Sequence, residues 1–212
     1  HSYFDEKIPA DSFVATLSSR DPDRDDSHVY SFATGYGDDD NQFFAIEGNQ
    51  LKIVEVPDFE EKSSYSIRLK TTDSDGRYLE NVFSLSVNDV NEKPWMIFVS
   101  SLIFDENIAS NSAVAELSSA DNDSGDTHVF SLVTGEGDAD NSAFMIDGGQ
   151  LKIVDSPDFE VKSSYAIRLQ TIDSGGLTYE RPFTLSVNDL KERKILLSIP
   201  EGLEAKQGSL LS

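Results

Sequence analysis

The feature that most constrains the fold is an internal repeat at an offset of 100 residues, which runs without a gap from residue 4 to residue 92. More than half of the aligned positions are identical; for example, Leu51-Lys52-Ile53-Val54 returns as Leu151-Lys152-Ile153-Val154. Self-similarity at a fixed period means that one structural unit is repeated. A unit of about 100 residues is long enough to bury its own hydrophobic core. We therefore predict two copies of one domain, repeat 1 over 1–92 and repeat 2 over 93–194.

Within each copy, the apolar residues follow the period of β-strands. Apolar and polar residues alternate over 65–70 and over 83–88, as in strands with one buried face. Shorter apolar segments predict further strands at 12–17 (which includes a bulge), at 28–32, and at 44–46 and 51–54, which flank a hairpin turn. About seven short strands in ~100 residues, with no helical period, favour an all-β fold of two tandem Greek-key β-sandwiches with immunoglobulin-like architecture.

The charge of the chain excludes several classes of partner. The sequence has 39 acidic and 17 basic residues, a net charge of −22, which repels nucleic acid and anionic membrane surfaces. No segment has the roughly 18 consecutive apolar residues of a transmembrane helix, so no direct membrane insertion is expected. The absence of cysteine excludes disulfides, thiolate metal sites and cysteine nucleophiles. Such an excess of carboxylates serves either solubility or cation binding, and the positions of the carboxylates distinguish the two.

Acidic residues concentrate where the predicted strands end. The pair Asp121 and Asp123 follows one strand, and Asp173 ends another. In an irregular segment, carboxylates at alternate positions turn towards one point, and Ca²⁺ takes about six to eight such oxygens in a flexible geometry. Zinc fits less well, because the sequence has no ligand-spaced histidines or thiols. The pattern therefore favours a calcium site at a pole of the sandwiches.

These motifs, taken in order, resemble the cadherin repeat. The residues that carry the resemblance are Glu6, Asp58-Phe59-Glu60, Asp89-Val90-Asn91-Glu92-Lys93-Pro94, Asp121-Asn122-Asp123 and Thr171-Ile172-Asp173. The segment 87–92, together with Asp173-Ser174-Gly175-Gly176, is most similar to bacterial, cyanobacterial-type cadherin-like repeats. Two positions depart from the family pattern: Phe59 stands where the family has arginine, and the linker before Pro94 is one residue shorter.

The resemblance implies a cluster of calcium ions between the two repeats. Its implied metal ligands, besides backbone carbonyls of the linker, are Glu6, Asp58, Glu60, Asp89, Asn91, Glu92, Asp121, Asp123 and Asp173. The resemblance also implies a non-enzymatic module of a secreted or cell-surface protein that calcium stiffens at the interdomain linker. Residues 195–212 match neither repeat, and we interpret them as a tail or as the start of a different domain.

Three functions remain open from the sequence. The first is adhesion at an extracellular or cell surface, through homophilic protein contacts or another partner. The second is calcium-dependent binding of extracellular polysaccharide by the same sandwich. The third is a rigid spacer, in which calcium serves only stiffness. Nucleic acid is not an expected partner in any of them.

Other repeated features have structural interpretations. His28 and His128 begin equivalent strands and are interpreted as strand-edge residues rather than catalytic bases. The acidic loops that begin at Gly35 and Gly135 are predicted to be solvated turns, with additional cation contacts as the alternative. Trp95 is expected to pack at the joint between the repeats, with sugar stacking as the alternative.

The two outer poles are predicted to hold incomplete sites. In the second repeat Lys191 stands in place of the linker residue Asn91, and a lysine ammonium only donates hydrogen bonds and brings positive charge to a cation site. We therefore expect that pole to be empty or weak. At the opposite end, Asp21, Asp23 and Asp73 are expected to form half of a site.

Overall fold

The computed structural model describes residues 2–22 and 27–191, which form two β-sandwiches in tandem. Domain 1 has seven strands: β1 (Ser2–Asp5), β2 (Phe13–Thr16), β3 (Val29–Phe32), β4 (Phe44–Glu47), β5 (Gln50–Ile53), β6 (Ser64–Thr72) and β7 (Tyr78–Asn88). Domain 2 has eight: β8 (Met96–Val99), β9 (Ile103–Asp105), β10 (Ala113–Ala120), β11 (Val129–Leu132), β12 (Phe144–Asp147), β13 (Gln150–Ile153), β14 (Ser164–Ile172) and β15 (Thr178–Asn188). The predicted residues Asp23 and 192–212 lie outside the described ranges.

Each domain is built from two sheets. Domain 1 has the strand orders β1-β7-β6-β3 and β2-β5-β4, and domain 2 has β9-β15-β14-β11 and β8-β10-β13-β12. The chain passes repeatedly from one sheet to the other before β6 and β7 pair along their length, which is the immunoglobulin-like arrangement. The helical segments of the described residues, Asn41–Phe43 and Asn141–Ala143, are single turns and far too short to cross a bilayer. The predicted all-β tandem sandwich is confirmed.

Local sequence signals account for the strand pairing. The predicted hairpin forms between β4 and β5, with Glu47 opposite Gln50. Gly48 in its two-residue turn has a φ of 61°, a left-handed conformation that such turns require and glycine adopts readily. The predicted bulge in β2 is confirmed as a register shift between Phe13 and Ala15. The domain boundary at 92/93 stays a prediction, but β7 ends at 88 and β8 begins at 96.

The core of domain 1 lies where the inward faces of β5 and β6 meet. Leu51, Ile53 and Ile67 are at most 1% exposed, and burial of each such side chain contributes about 1.5–3 kcal/mol. The rings of Phe44 and Tyr65 pack edge to face, with centroids 5.3 Å apart. Domain 2 has the same cluster at equivalent positions. Each copy therefore has a core of its own, as the length of the repeat predicts.

The two domains differ at one sheet edge. In domain 2, β8 pairs with the second half of β10, and its Ile97 is 1% exposed. The equivalent residues of domain 1, 17–20, are not in a strand, and a groove of about 730 Å³ lies beside them. Phe83 lines this groove and is 44% exposed. The alternation in β7 predicts an inward side chain there, and the uncovered edge explains why Phe83 is not buried.

The acidic loop of each domain is packed against the sandwich rather than solvated. Asp40 is 7% exposed; its Oδ2 accepts a hydrogen bond from Ser66 N–H at 2.7 Å, and its Oδ1 lies 3.0 Å from Lys62 Nζ. Asn41 accepts a hydrogen bond from Arg68 N–H at 2.9 Å. The prediction of a solvated turn is therefore wrong for these two residues, because their side chains fasten the loop to β6.

We predict that Asp40→Ala lowers the free energy of unfolding by about 1–3 kcal/mol, because it leaves the Ser66 N–H without its acceptor. The matched control is Asp39→Ala, since Asp39 is an exposed neighbour in the same loop. That change should stay within about 0.5 kcal/mol of the unmodified protein. Equilibrium urea unfolding measures both, and equal free energies for the two variants would contradict the assigned role of Asp40.

Candidate metal centre

Residues 89–95 join β7 to β8, and both domains hold this linker through hydrogen bonds. Val90 N–H donates to Glu6 Oε1 at 2.9 Å on the domain 1 side. Glu92 N–H donates to Asp123 Oδ2 at 2.6 Å on the domain 2 side. The backbone of the linker is therefore fixed by two of the carboxylates that the sequence predicts as metal ligands.

Glu6 lies at the pole of domain 1, immediately after β1. The parallel pairing of β1 with β7 places the start of the linker beside it. Glu6 is 2% exposed, and its Oε2 accepts a hydrogen bond from Phe59 N–H at 2.9 Å. The departure at Phe59 from the family pattern therefore leaves this contact intact, because the backbone makes it. Glu106 repeats both contacts in domain 2, with Phe159 and Leu190 as donors.

Four carboxylates from both domains come together around Glu6. We call Glu6, Glu60, Asp89 and Asp123 the shared cluster, because each offers an oxygen and these oxygens lie within 4.8 Å of one another. Asp123 belongs to domain 2, Asp89 to the start of the linker, and the other two to domain 1. Four of the predicted ligands therefore meet at a single point between the domains.

A second group lies on the domain 2 side of the linker. Asp121, Asp126 and Asp173 form the domain 2 cluster, with oxygens within 4.8 Å of one another. The linker reaches this cluster through Asn91, whose Nδ2 donates to Asp173 Oδ2 at 3.1 Å. His128 Nε2 lies 3.0 Å from Asp121 Oδ2, a structural contact at the edge of the cluster in agreement with its interpretation as a strand-edge residue.

Asp126 is a member of the domain 2 cluster that the sequence reasoning missed. Its Oδ1 accepts a hydrogen bond from Ser174 Oγ, and its Oδ2 is buried without a hydrogen-bond partner. The signal for it is the extended spacing Asp121-x-Asp123-x-x-Asp126, which the first repeat also has, with Asp26 at the equivalent position.

Two predicted ligands, Asp58 and Glu92, lie in neither cluster and instead contact a lysine. Lys7 Nζ is 3.0 Å from Asp58 Oδ2 and 3.2 Å from Glu92 Oε1. The hydrogen bond from Lys7 lowers the pKa of Asp58, and the N–H groups of Glu61 and Glu60 lower it further. Burial acts in the opposite direction. The predicted single ligand set is therefore divided among two carboxylate clusters and one ion-pair network.

Trp95 lies beside the joint, at the end of the linker. Its N–H donates to Ala120 O at 3.0 Å, and it lines a shallow surface depression with Glu92, Lys93 and Asn122. The side chain is 50% exposed, so it packs at the joint only in part.

The outer pole of domain 2 also gathers carboxylates. Glu106, Asp158 and Glu160 offer oxygens within 4.8 Å of one another, whereas Asp189 is not in that group. Arg193 and Lys194, which stand where the first repeat has Lys93 and Pro94, lie outside the described residues, so the weakness of this pole stays a prediction. At the opposite end, Asp21 Oδ2 lies 3.7 Å from His28 Nε2.

Comparisons with known proteins identify the type of domain. No family model matches the chain. Cadherin-3 of Caenorhabditis elegans is 28% identical over 196 residues, which are 90% of this chain and 6% of that protein. In the solved structure of EC1-2 of human Protocadherin-24, the TM-score is 0.68 at 18% identity, with 89% of this chain and 94% of that chain covered. The Protocadherin GammaB4 extracellular domain gives a TM-score of 0.63 at 22% identity, with 89% and 31% covered.

The two domains of the chain have the cadherin fold. It spans only a few per cent of the length of the curated relatives that it matches, 6% in the case of Cadherin-3. The likeness to the solved structures, at identities below 25%, concerns the fold. The predicted resemblance to cadherin repeats is therefore confirmed for the fold, while its bacterial type is not shown.

Carboxylates crowd the joint between the two domains. Burial and neighbouring charges raise some of their pKa values, and hydrogen bonds lower others. Burial raises the pKa of Asp123, and repulsion from the neighbouring carboxylates raises it further. The hydrogen bond from Glu92 N–H acts in the opposite direction but does not outweigh them. Burial also raises the pKa of Glu60, again with help from the carboxylates of the shared cluster. Burial opposes ionisation of Asp173 too, but hydrogen bonds from Leu177 N–H and the Asn91 side chain outweigh it and lower its pKa.

The donor atoms at the joint fit a hard divalent cation. Asp123 Oδ1 and Asp126 Oδ2 are buried and have no hydrogen-bond partner, an arrangement that is rare for buried polar atoms and that a bound cation explains. The donors of both clusters are carboxylate oxygens. Calcium accepts such oxygens in variable number and geometry, whereas Mg²⁺ demands a near-ideal octahedron and keeps several waters.

Gly175 makes the contact between Asn91 and the domain 2 cluster possible. A Cβ at position 175 would lie 2.1 Å from Asn91 Oδ1. Repeat 1 has Asp75 at the equivalent position, so the glycine belongs to the joint rather than to the repeated fold. We predict that Gly175→Ala displaces the Asn91 side chain and breaks its hydrogen bond to Asp173, a loss of about 1.5–3 kcal/mol for a bond to a charged group.

The displacement can be followed through the side-chain amide signals of Asn91 in a ¹⁵N–¹H correlation spectrum, with thermal unfolding as the measure of stability. Gly149→Ala is the matched control, because a Cβ there would lie 3.5 Å from Leu117 O, an ordinary van der Waals distance. Unchanged Asn91 signals in the Gly175 variant would show that the contact does not depend on the glycine.

Proposed function

We propose that the chain is a calcium-binding tandem module of a secreted or cell-surface protein, divided into repeats at 92/93, and that calcium between the repeats stiffens it for adhesion. The observation that carries the proposal is the shared cluster, in which Asp123 of domain 2 meets Glu6, Glu60 and Asp89. A cation bound there has ligands on both domains and on the linker. Calcium binding and domain orientation are therefore coupled.

The ligand assignment follows the two clusters. Glu6, Glu60, Asp89 and Asp123 would hold one calcium ion, and Asp121, Asp126 and Asp173 would hold a second one beside the oxygen of the Asn91 side chain. The ion supplies positive charge to carboxylates that otherwise repel each other by about 1 kcal/mol per close pair even at the dielectric constant of water. The protein holds the ligands in place through the N–H groups of Phe59, Val90 and Glu92.

The location and the adhesive role rest on the relatives. One similar solved structure is an extracellular domain, and the similar curated protein is a cadherin. The partners proposed are calcium and homophilic protein contacts, and the chain is proposed not to be an enzyme. No observation in the described residues favours polysaccharide binding, so we do not propose it. The bacterial type of the repeats stays a prediction.

The calcium site can be tested by a substitution whose effect on stability changes sign with calcium. In chelator, Asp123→Asn should stabilise the chain by about 1 kcal/mol for each close carboxylate pair that it removes. In calcium, the same change should destabilise it. Extracellular calcium modules have dissociation constants of about 10⁻⁴–10⁻³ M. Calcium at ten times the dissociation constant adds about 1.4 kcal/mol per site to the free energy of unfolding, and the variant loses this gain. Differential scanning calorimetry in both conditions measures the two effects.

The gain in chelator should also depend on pH. Because the pKa of Asp123 is raised in the folded protein, the folded state takes up its proton first as the pH falls. The advantage of Asp123→Asn is therefore present at neutral pH and disappears as the pH falls through the raised pKa. Asp39→Asn, an exposed charge in the acidic loop, is the control and should show neither effect. A melting temperature of the unmodified protein that is indifferent to millimolar calcium would overturn the proposed site.

The stiffening can be tested by small-angle X-ray scattering. With chelator we expect a broad distribution of shapes, because motion between domains is the default where their interface is small and polar. Calcium should narrow it to an extended rod, since the two arrangements differ in ligand number and hence in affinity. Asp89→Asn combined with Asp123→Asn should remove the narrowing while circular dichroism shows both sandwiches folded. Identical profiles with and without calcium would leave the sites without a mechanical role.

Adhesion and an inert spacer are distinguished by a bead assay. Beads that carry the chain should aggregate with calcium and disperse with chelator if homophilic contacts operate. Beads that stay dispersed, combined with a calcium-dependent scattering profile, would identify a spacer instead.

A further inference from the structure

Lys7 places an ammonium group among three carboxylates at the joint. Its Nζ lies 3.5 Å from Glu6 Oε2, 3.0 Å from Asp58 Oδ2 and 3.2 Å from Glu92 Oε1. A lysine has three N–H donors and no acceptor, so this group has one donor for each carboxylate, and its positive charge offsets one of their three negative charges. Although burial opposes protonation, the hydrogen bonds that Lys7 donates to Asp58 and Glu92 raise its pKa, and the ammonium stays charged at neutral pH.

The second copy shows the same pole without the lysine. Asn107 stands at the position equivalent to Lys7, and there Asp158 joins Glu106 and Glu160 in one group of oxygens within 4.8 Å of one another. In domain 1 the equivalent aspartate, Asp58, is drawn to Lys7 and is absent from the shared cluster. The lysine therefore changes which carboxylates are available to a metal ion.

The backbone at this position does not favour a lysine. Lys7 has a φ of 57° and Asn107 a φ of 60°. This left-handed conformation is several-fold enriched in asparagine and uncommon for other residues with a side chain. Asparagine in the second copy is thus the residue that the local conformation prefers. The lysine in the first copy is accounted for by its three carboxylate contacts.

We propose that Lys7 is a built-in cation that takes the place of one calcium ion at the joint, between Glu6, Asp58 and Glu92. The inference rests on the proposed calcium function. It means that the joint binds one calcium ion fewer than its carboxylates would allow, and that part of its cohesion does not depend on calcium.

The ammonium also contributes to a connection between the two domains. Glu92 Oε1 faces Lys7, while Glu92 Oε2 accepts a hydrogen bond from Asn122 Nδ2 at 3.0 Å. Domain 1, linker and domain 2 are therefore linked in sequence through Lys7, Glu92 and Asn122. This path contains no carboxylate of the shared cluster, and none of its contacts requires calcium.

The test compares the unmodified chain with Lys7→Asn, which introduces the residue of the second copy and relieves the backbone strain. Isothermal titration calorimetry with CaCl₂ should show one additional calcium ion bound per chain in the variant. In chelator its melting temperature should fall below that of the unmodified chain, because three carboxylates lose their counter-charge. In calcium at about 5 mM, above the dissociation constants usual for extracellular modules, the difference should close.

Two further variants complete the design. Lys7→Gln keeps most of the side-chain length without the charge and should bind the same additional ion, which guards against a folding effect of the asparagine. Lys52→Asn removes a lysine that pairs with Glu47 in the β4–β5 hairpin, and it should bind as many ions as the unmodified chain. If the unmodified chain and both Lys7 variants bind the same non-zero number of calcium ions per chain, the inference about Lys7 is wrong, while the proposed calcium function stands. An unmodified chain that binds no calcium would overturn the proposed function as well.

Discussion

The organisation of the joint depends on the buried carboxylate of Glu6. A charge that is 2% exposed is unfavourable unless it is hydrogen-bonded and neutralised. Two backbone N–H groups, from Phe59 and Val90, supply the hydrogen bonds. They bring the turn after β5 and the start of the linker to the end of β1. Since Glu60 and Asp89 each adjoin one of these donors in sequence, the position of the shared cluster follows from the contacts of Glu6. The Lys7 ammonium, 3.5 Å from Glu6 Oε2, supplies part of the neutralisation, and a bound cation would supply the rest.

The strands and part of the site could be predicted from the sequence, because both depend on local pattern. Alternation predicted β6 and β7, and the resemblance of the Asp-x-Asp motif to that of cadherin repeats implied that Asp121 and Asp123 are partners of the linker. The division of the ligand set could not be predicted. Lys7 reaches Asp58 and Glu92, which are 51 and 85 positions away in sequence, only through the tertiary arrangement of three segments. The exposure of Phe83 and the packing of Asp40 likewise depend on which edges are covered, and alternation carries no information about that.

Comparison of the two copies distinguishes the residues that the fold requires from the residues that are specific to the joint. Core positions are shared, as in Ile53 and Ile153 or Ile67 and Ile167, because a close-packed interior tolerates little change in volume. Several differences lie at the pole residues instead: Lys7 against Asn107, Asp75 against Gly175, and Asn91 against Lys191. None of these three positions belongs to either core cluster. Lys7 and Asn91 contact carboxylates at the joint, and Gly175 leaves room for Asn91, so the copies differ at the joint while they keep one fold.

Two kinds of positive charge would therefore act on different carboxylates of the joint. The ammonium of Lys7 is part of the chain and offsets repulsion at every calcium concentration, on the side of Asp58 and Glu92. In the proposed function, calcium would offset repulsion in the shared and domain 2 clusters only when it is bound, and it would favour an orientation only as far as its affinity differs between orientations. Loss of calcium would restore the repulsion around Asp123 and Asp173 but would leave the Lys7–Glu92 contact in place. The distribution of shapes in chelator would then be broader than in calcium, but narrower than that of a chain without Lys7, because this contact disfavours some of the arrangements that a free linker would allow.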